Sequence, residues 1–248
     1  IFLVVAILIA VVSLYIYANG AFAYPYLEDE DPWGHSVGVK YVSIEKNAYD
    51  PQLNNVEGID PVLSYIDPYP PAYDILIGVL HQTSPDLRWT LKFFNALIIS
   101  LGFVFFYLFA KELIGDKNKA IFATLIFAAI PSYLSHFIWA HSLVITIFFP
   151  TIYAFHKSIE DKRWIVIAVL CTASIWVTQN IEQPIKLSTL IIIYLVVLSI
   201  VYKKLLIAQI GALTAGILLS LVWWAVIIQK YTLNGFLLYF GGGSFTAG

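Results

Sequence analysis

The sequence predicts an all-α polytopic membrane protein. It has about seven transmembrane helices and a long first external loop, residues 18–88, that contains interfacial helices. Three observations carry this reading. Hydrophobic residues make up 60% of the 248 and charged residues only 12%, too apolar for a soluble domain. The uncharged stretches have the length of spanning helices, which need about 20 apolar residues. Finally, eleven of the 16 acidic residues lie between Gly20 and Arg88, the one long polar stretch in the chain.

The spans follow in order. Residues 1–17 form the first run. It could pass for a signal peptide, but Ala21-Phe22-Ala23 matches a cleavage site only loosely and six more spans follow, so it reads as a retained anchor. The later runs are 93–110, 120–155, 164–177, 185–202 (with Lys186 at its edge) and 205–229. The 120–155 run is too long for one span and is interrupted by Pro131 and by Ser135-His136 and His141-Ser142. It reads as a helical hairpin. The chain opens inside an apolar run and closes on a Gly-rich stretch, so residues 1–248 read as the N-terminal membrane region of a longer protein.

Orientation comes from the short loops. Lys111, Lys117 and Lys119, then Lys157, Lys162 and Arg163, then Lys203 and Lys204 form three basic groups, whereas the turns at 135–142 and 178–184 carry no Lys or Arg. The positive-inside rule puts the basic groups in the cytoplasm. The acidic loop, the His136–His141 turn, the 178–184 turn and the tail after Gln229 then share the outer face. The net charge of −2 argues for no nucleic-acid partner. Cys171, the only cysteine, excludes a disulfide and a thiolate metal site.

Within the loop, Asp31-Pro32 predicts a helix start, with Asp31 as the cap and Pro32 in the first turn. Trp33, Val37, Tyr41 and Ile44 recur at helical spacing and predict an amphipathic helix lying on the membrane surface. His35 falls four residues after Asp31 and so shares its face. A second start follows at Pro70-Pro71, and residues 75–80, followed by Ser84-Pro85, are too short to span, which predicts an interfacial or re-entrant segment. Glu28-Asp29-Glu30-Asp31 exceeds what capping requires. Asp31 and Glu30 are therefore the candidate catalytic carboxylates, and Asp31 is also a candidate metal ligand. The competing reading of Asp31 is a plain helix cap, and that of His35 a satisfied interfacial residue.

Asp31-Pro32-Trp33-Gly34-His35 after a first span resembles the first acidic motif of archaeal oligosaccharyltransferase catalytic subunits. Tyr69-Pro70-Pro71, then Arg88-Trp89-Thr90-Leu91-Lys92-Phe93-Phe94-Asn95, is similar to a stretch shared by protein mannosyltransferases and aminoarabinose transferases, with Lys92 where those usually carry Arg. The resemblance covers roughly residues 1–160 and is to the GT-C fold of polyprenyl-phosphate-dependent glycosyltransferases. It implies a sugar donor on a polyprenyl phosphate, an archaeal or bacterial cell membrane with the acidic loop outside, and Asp31 as base or metal ligand, with Mg or Mn as the candidate divalent cation. The family's second outer loop brings further acids; here Ala140 and His141 stand about where they belong.

Such a transfer needs a carboxylate to take the acceptor's proton and cations to hold the leaving phosphate. Asp31 is the candidate base, with Glu30 assisting. Lys92 and Arg88 are candidate phosphate contacts, with snorkelling to the headgroups as the competing reading. His35, His136, His141 and Tyr69 are candidate donor-binding residues. Glu182 is a reserve carboxylate. Two other classes stay open: a transporter or flippase, and a non-catalytic membrane scaffold whose acidic loop binds a cation or a partner. No charged residue sits deep in any span, which counts against ion-coupled transport.

Overall fold

A computed structural model describes residues 1–48, 65, 66, 68–130 and 138–240, with 234–240 described by their backbone alone. Among these residues there are nine α-helices and no strand. In chain order they are α1 (Phe2–Ala23), α2 (Glu30–Glu45), α3 (Ala72–His81), α4 (Leu87–Ile114), α5 (Lys117–Ala128), α6 (Ala140–Lys157), α7 (Trp164–Trp176), α8 (Glu182–Val201) and α9 (Ile207–Phe240). Thr232 interrupts α9 with φ 64° and ψ 163°.

Four helices are long and apolar enough to cross a membrane: α1, α4, α8 and the Ile207–Leu233 part of α9. The architecture is that of a helical membrane protein. The outward faces of α1 and α8 consist of exposed Leu, Ile and Val, a surface that suits hydrocarbon. The other expected crossings are shorter or more polar. α5 has 12 residues and α7 has 13, while α6 carries Pro150 and ends on His156-Lys157.

Helix ends follow the local sequence. Asp86 accepts hydrogen bonds from the Arg88 and Trp89 amides at 2.9 and 3.2 Å and starts α4. Gly115, at φ 71°, ends it, the left-handed stop that glycine adopts without strain. Asp116 then caps α5 through the Asn118 and Lys119 amides. Two caps on consecutive residues make the α4–α5 joint a fixed corner.

α4 is the central mast. Tyr17 of α1 stacks on Phe103, Phe127 of α5 packs on Phe106 at 4.5 Å, and Thr146 of α6 donates to the Ile98 carbonyl at 3.0 Å. The 120–155 run gives two helices, α5 and α6. α5 and α6 each lean on α4 and meet through Phe127 and Phe149. A helix pair buries more by flanking a third helix than by packing on its own partner alone. Pro131, the expected breaker, lies outside the described residues.

α6 continues onto α7 and α7 onto α9. There Gly216 is packed so closely that a Cβ would sit 2.5 Å from Thr172 Cβ and 2.9 Å from the Val169 carbonyl oxygen. Small residues permit such crossings between membrane helices. Gly216→Val is expected to cost about 1–3 kcal/mol by overpacking, read as a lower thermal midpoint in detergent. Gly211→Ala, with open space around it, does not lower the midpoint; equal losses from both would exclude the crossing as the cause.

The bundle has two chemically distinct ends. At one, Lys157 bridges Glu112 and Glu160 at 3.1 and 3.2 Å, and Gln209 donates to Ser158 at 3.1 Å, so all three basic loops gather there. The opposite end collects α2, α3, the N-termini of α4, α6 and α8, and the packing of Tyr231 and Ile227 near Ala48 and Val177.

Candidate functional site

The acid-rich start of α2 begins two residues earlier than expected. Asp29, not Asp31, is the cap, its carboxylate accepting from the Glu30 amide at 2.7 Å. Four successive acids offer several caps, and the one in extended conformation takes the role. Asp31 and Pro32 therefore stand inside the first turn, where a carboxylate favours the helix dipole.

The face that α2 turns to the protein is not the Trp33–Ile44 stripe. Trp33 is 46% exposed and Ile44 62%, while Pro32, Gly34, His35, Ser36, Gly38 and Val39 turn inward. The glycines explain the choice. A Cβ at Gly34 would overlap the Tyr65 ring, and one at Gly38 would overlap the Asp74 carboxylate. Two glycines one turn apart let the neighbouring chain reach the helix backbone, which larger apolar residues would forbid.

His35 is fully buried, and both ring nitrogens are engaged. Nδ1 lies 2.8 Å from Asp74 Oδ1 on α3, and the Ala140 amide of α6 points at Nε2 from 3.3 Å. The amide can only donate, so Nε2 is the bare nitrogen and Nδ1 carries the proton given to Asp74. α6 has no side-chain cap of its own; His35 satisfies one of its orphan amides from another element. Three rings, Tyr65, Tyr69 and Tyr73, meet His35 edge-on with centroids 4.8, 5.4 and 4.7 Å away.

Asp74 is 1% exposed, and its Oδ2 has no hydrogen-bond partner among the described residues. Burial pushes its carboxyl above the ordinary value, an effect that the hydrogen bond from His35 only partly offsets. Tyr73, beside it, donates to Asn95 of α4 at 3.1 Å, and burial pushes its phenol well up.

Asp31 is half-buried and accepts a hydrogen bond from the Tyr65 hydroxyl. Tyr65 therefore touches both Asp31 and His35, which is how the shared helix face is used. Tyr69 is buried, and its hydroxyl donates to Gln179 Oε1 in the turn between α7 and α8. Gln179 Nε2 in turn donates to His141 Nδ1 at 2.6 Å, which leaves the imidazole proton on Nε2. Trp139 lies against the His141 ring with centroids 3.6 Å apart.

Lys92 is only 4% exposed. Its ammonium donates to the Tyr24 carbonyl and lies 5.7 Å from the Phe22 ring centroid, tying the start of α4 to the end of α1. It lines a small cleft with Tyr26, Glu28, Pro32 and Ile138. Arg88 is half exposed and sits 3.7 Å from Asp86, the cap of its own helix. Glu30 is exposed in the first turn of α2. Glu182 pairs with Lys186 on the surface of α8. His136 lies outside the described residues.

Asp31, His35, Tyr69 and His141 are thus brought into one network, with Lys92 at its edge and Arg88 and Glu30 outside it. Three residues of the network were not singled out in the sequence. Asp74 had a legible signal, a lone acid in an apolar helix. Gln179 had a weaker one, a polar Thr-Gln-Asn between two apolar runs. Tyr65 had none, since its bond to Asp31 is made across more than thirty residues. Among the described residues no three His, Cys, Asp or Glu side chains gather as a metal set. No family model matches the chain, and no curated protein matches it.

Proposed function

We propose that this chain is the membrane region of a GT-C-type glycosyltransferase. It moves a sugar from a polyprenyl phosphate to an acceptor at the outer face of the cell membrane. The observation that carries the reading is the convergence of Asp31, Tyr65, Tyr69, Gln179 and His141, drawn from α2, the segment before α3, α6 and the α7–α8 turn, at one end of an apolar bundle. In this reading α5, α6 and α7 also cross, giving seven spans, and the basic end lies in the cytoplasm.

The acceptor's nucleophilic oxygen or nitrogen attacks the anomeric carbon, the bond from that carbon to the phosphate oxygen breaks, and polyprenyl phosphate leaves. Asp31 takes the acceptor's proton, with Tyr65 holding the carboxylate in place. Lys92 and Arg88 are the cations nearest this end of α4 and stabilise the departing phosphate. His141, with its proton on Nε2, is a donor to sugar or phosphate oxygens, and Trp139 offers a ring face to the sugar. Glu30, exposed beside Asp31, assists through its charge.

The test is transfer from a set of radiolabelled polyprenyl-phosphate sugars by the full-length protein and its Asp31→Asn variant in proteoliposomes. Turnover by the wild type that collapses in the variant supports the reading. Turnover that survives in the variant removes Asp31 from the chemistry. No turnover from either protein with mannosyl, glucosyl, aminoarabinosyl and oligosaccharyl donors removes the transferase reading.

A further inference from the structure

α8 is the least embraced helix of the bundle. It meets α7 and α9 only sparsely, through contacts such as Trp176 Nε1 to Ser188 Oγ at 3.0 Å, and reaches α6 and α4 through Tyr194, against His156 and Phe109. Where α8 and α9 stand apart they enclose a groove of about 590 Å³, within the range of small-molecule sites, about 300–1,000 Å³. Its walls are Leu195, Val196, Ile210, Leu213 and Ile217. The hydroxyls that border it are already satisfied, Ser199 by the Leu195 carbonyl at 2.7 Å and Thr214 by the Ile210 carbonyl at 3.1 Å. The walls therefore offer an occupant only apolar contact.

The basic end of the groove is different. Lys203 and Lys204 line it and are exposed. Neither has an ion-pair partner among the described residues, and no Asp or Glu occurs between Gln183 and Gly248. The two lysines are not loosely placed. Lys203 adopts φ 50°, a left-handed conformation that costs a lysine free energy, and the Lys204 amide bonds the Ser199 carbonyl at 3.0 Å. A tight, left-handed stop fixes both cations where two membrane helices emerge.

We propose that this groove is a binding site for an anionic membrane lipid, with an acyl chain between α8 and α9 and the headgroup phosphate on Lys203 and Lys204. Charge complementarity selects this occupant. A protein helix or a second copy would fill the apolar walls but leave two cations unmatched at headgroup depth, whereas a phospholipid supplies both the hydrocarbon and the anion. The site lies at the opposite end of the bundle from Asp31 and does not depend on the transferase reading.

The experiment is native mass spectrometry of the full-length protein released from nanodiscs holding equal amounts of phosphatidylglycerol and phosphatidylcholine. At about fivefold per lysine, the wild type retains phosphatidylglycerol over phosphatidylcholine by about 30-fold. Lys203→Gln/Lys204→Gln removes that preference, and Lys203→Arg/Lys204→Arg keeps it. Thr214→Trp, which fills the groove, lowers retention of both lipids. Lys117→Gln/Lys119→Gln, at the same basic end but away from the groove, leaves retention unchanged. An equal loss from the Lys117/Lys119 variant would mean diffuse surface attraction and overturn the site. Absence of any preference in the wild type, or undiminished retention in a folded Thr214→Trp protein, would overturn it too. If Thr214→Trp does not fold, the lysine variants decide.

Discussion

Asp31→Asn is expected to lower sugar transfer by about 10²- to 10⁴-fold, the usual contribution of a positioned general base, while thermal unfolding stays close to wild type. The reasoning rests on what asparagine keeps. Its side-chain oxygen still accepts from the Tyr65 hydroxyl, so the link between α2 and the segment before α3 survives. What is lost is the ability to take a proton. Tyr65→Phe makes the opposite change, keeping the carboxylate but freeing its orientation, and a smaller loss of about tenfold follows from misplacement. Glu30→Gln, at an exposed position, changes the rate least. If the three variants rank differently, with Glu30→Gln the most damaging, the base has been assigned to the wrong carboxylate.

The largest effect on the fold is expected at Asp74. Asp74→Ala leaves the His35 Nδ1–H buried without its acceptor, at a cost of about 1–3 kcal/mol, and unlocks α6 from α2 through the Ala140 amide. Asp74→Asn keeps an acceptor for His35 and removes a buried charge, so its midpoint at neutral pH equals or exceeds that of the wild type. The pH dependence has a definite sign. The folded carboxyl holds its proton to a higher pH than the unfolded chain, whose value is the ordinary 3.8. That contribution to stability is whole below 3.8 and is lost as pH rises through the raised folded value. Thermal midpoints in detergent from about pH 4 to about pH 8 therefore fall more steeply for the wild type than for Asp74→Asn. Parallel curves would mean that Asp74 titrates as it does in the unfolded chain.

Much of the fold was legible because membrane helices declare themselves by composition. The apolar runs at 1–17, 93–110, 185–202 and 205–229 each overlap a helix long enough to cross; Asp86 and Gly115 bound α4, and Lys203-Lys204 part α8 from α9. The short α3 was legible from its bounding prolines. Harder to read was anything set by partners distant in sequence. Hydrophobic spacing on α2 pointed to Trp33 and Ile44 as a face laid on the membrane surface, but gave no sign that Gly34 and Gly38 admit the close approach of Tyr65 and Asp74 on the protein side. The 120–155 run declared two helices but not that both would lean on α4. At the site, residue type singled out Asp31, His35, Tyr69 and His141 together. Gln179 joins Tyr69 to His141 through bonds that no local pattern encodes.

The brevity of α7 carries a consequence for the lipid around it. Its 13 residues rise only about 20 Å, against a hydrocarbon core of about 30 Å. In the seven-span arrangement the bilayer must pinch beside α7, or the turn that carries Gln179 must sink below the headgroups. The network around Tyr69 and His141 would then work at the depth where a prenyl chain meets its phosphate. Acyl-chain length becomes a control on catalysis. Transfer is expected to be faster in bilayers of shorter lipids than in longer ones at equal fluidity, and a rate indifferent to chain length would show that α7 imposes no local thinning.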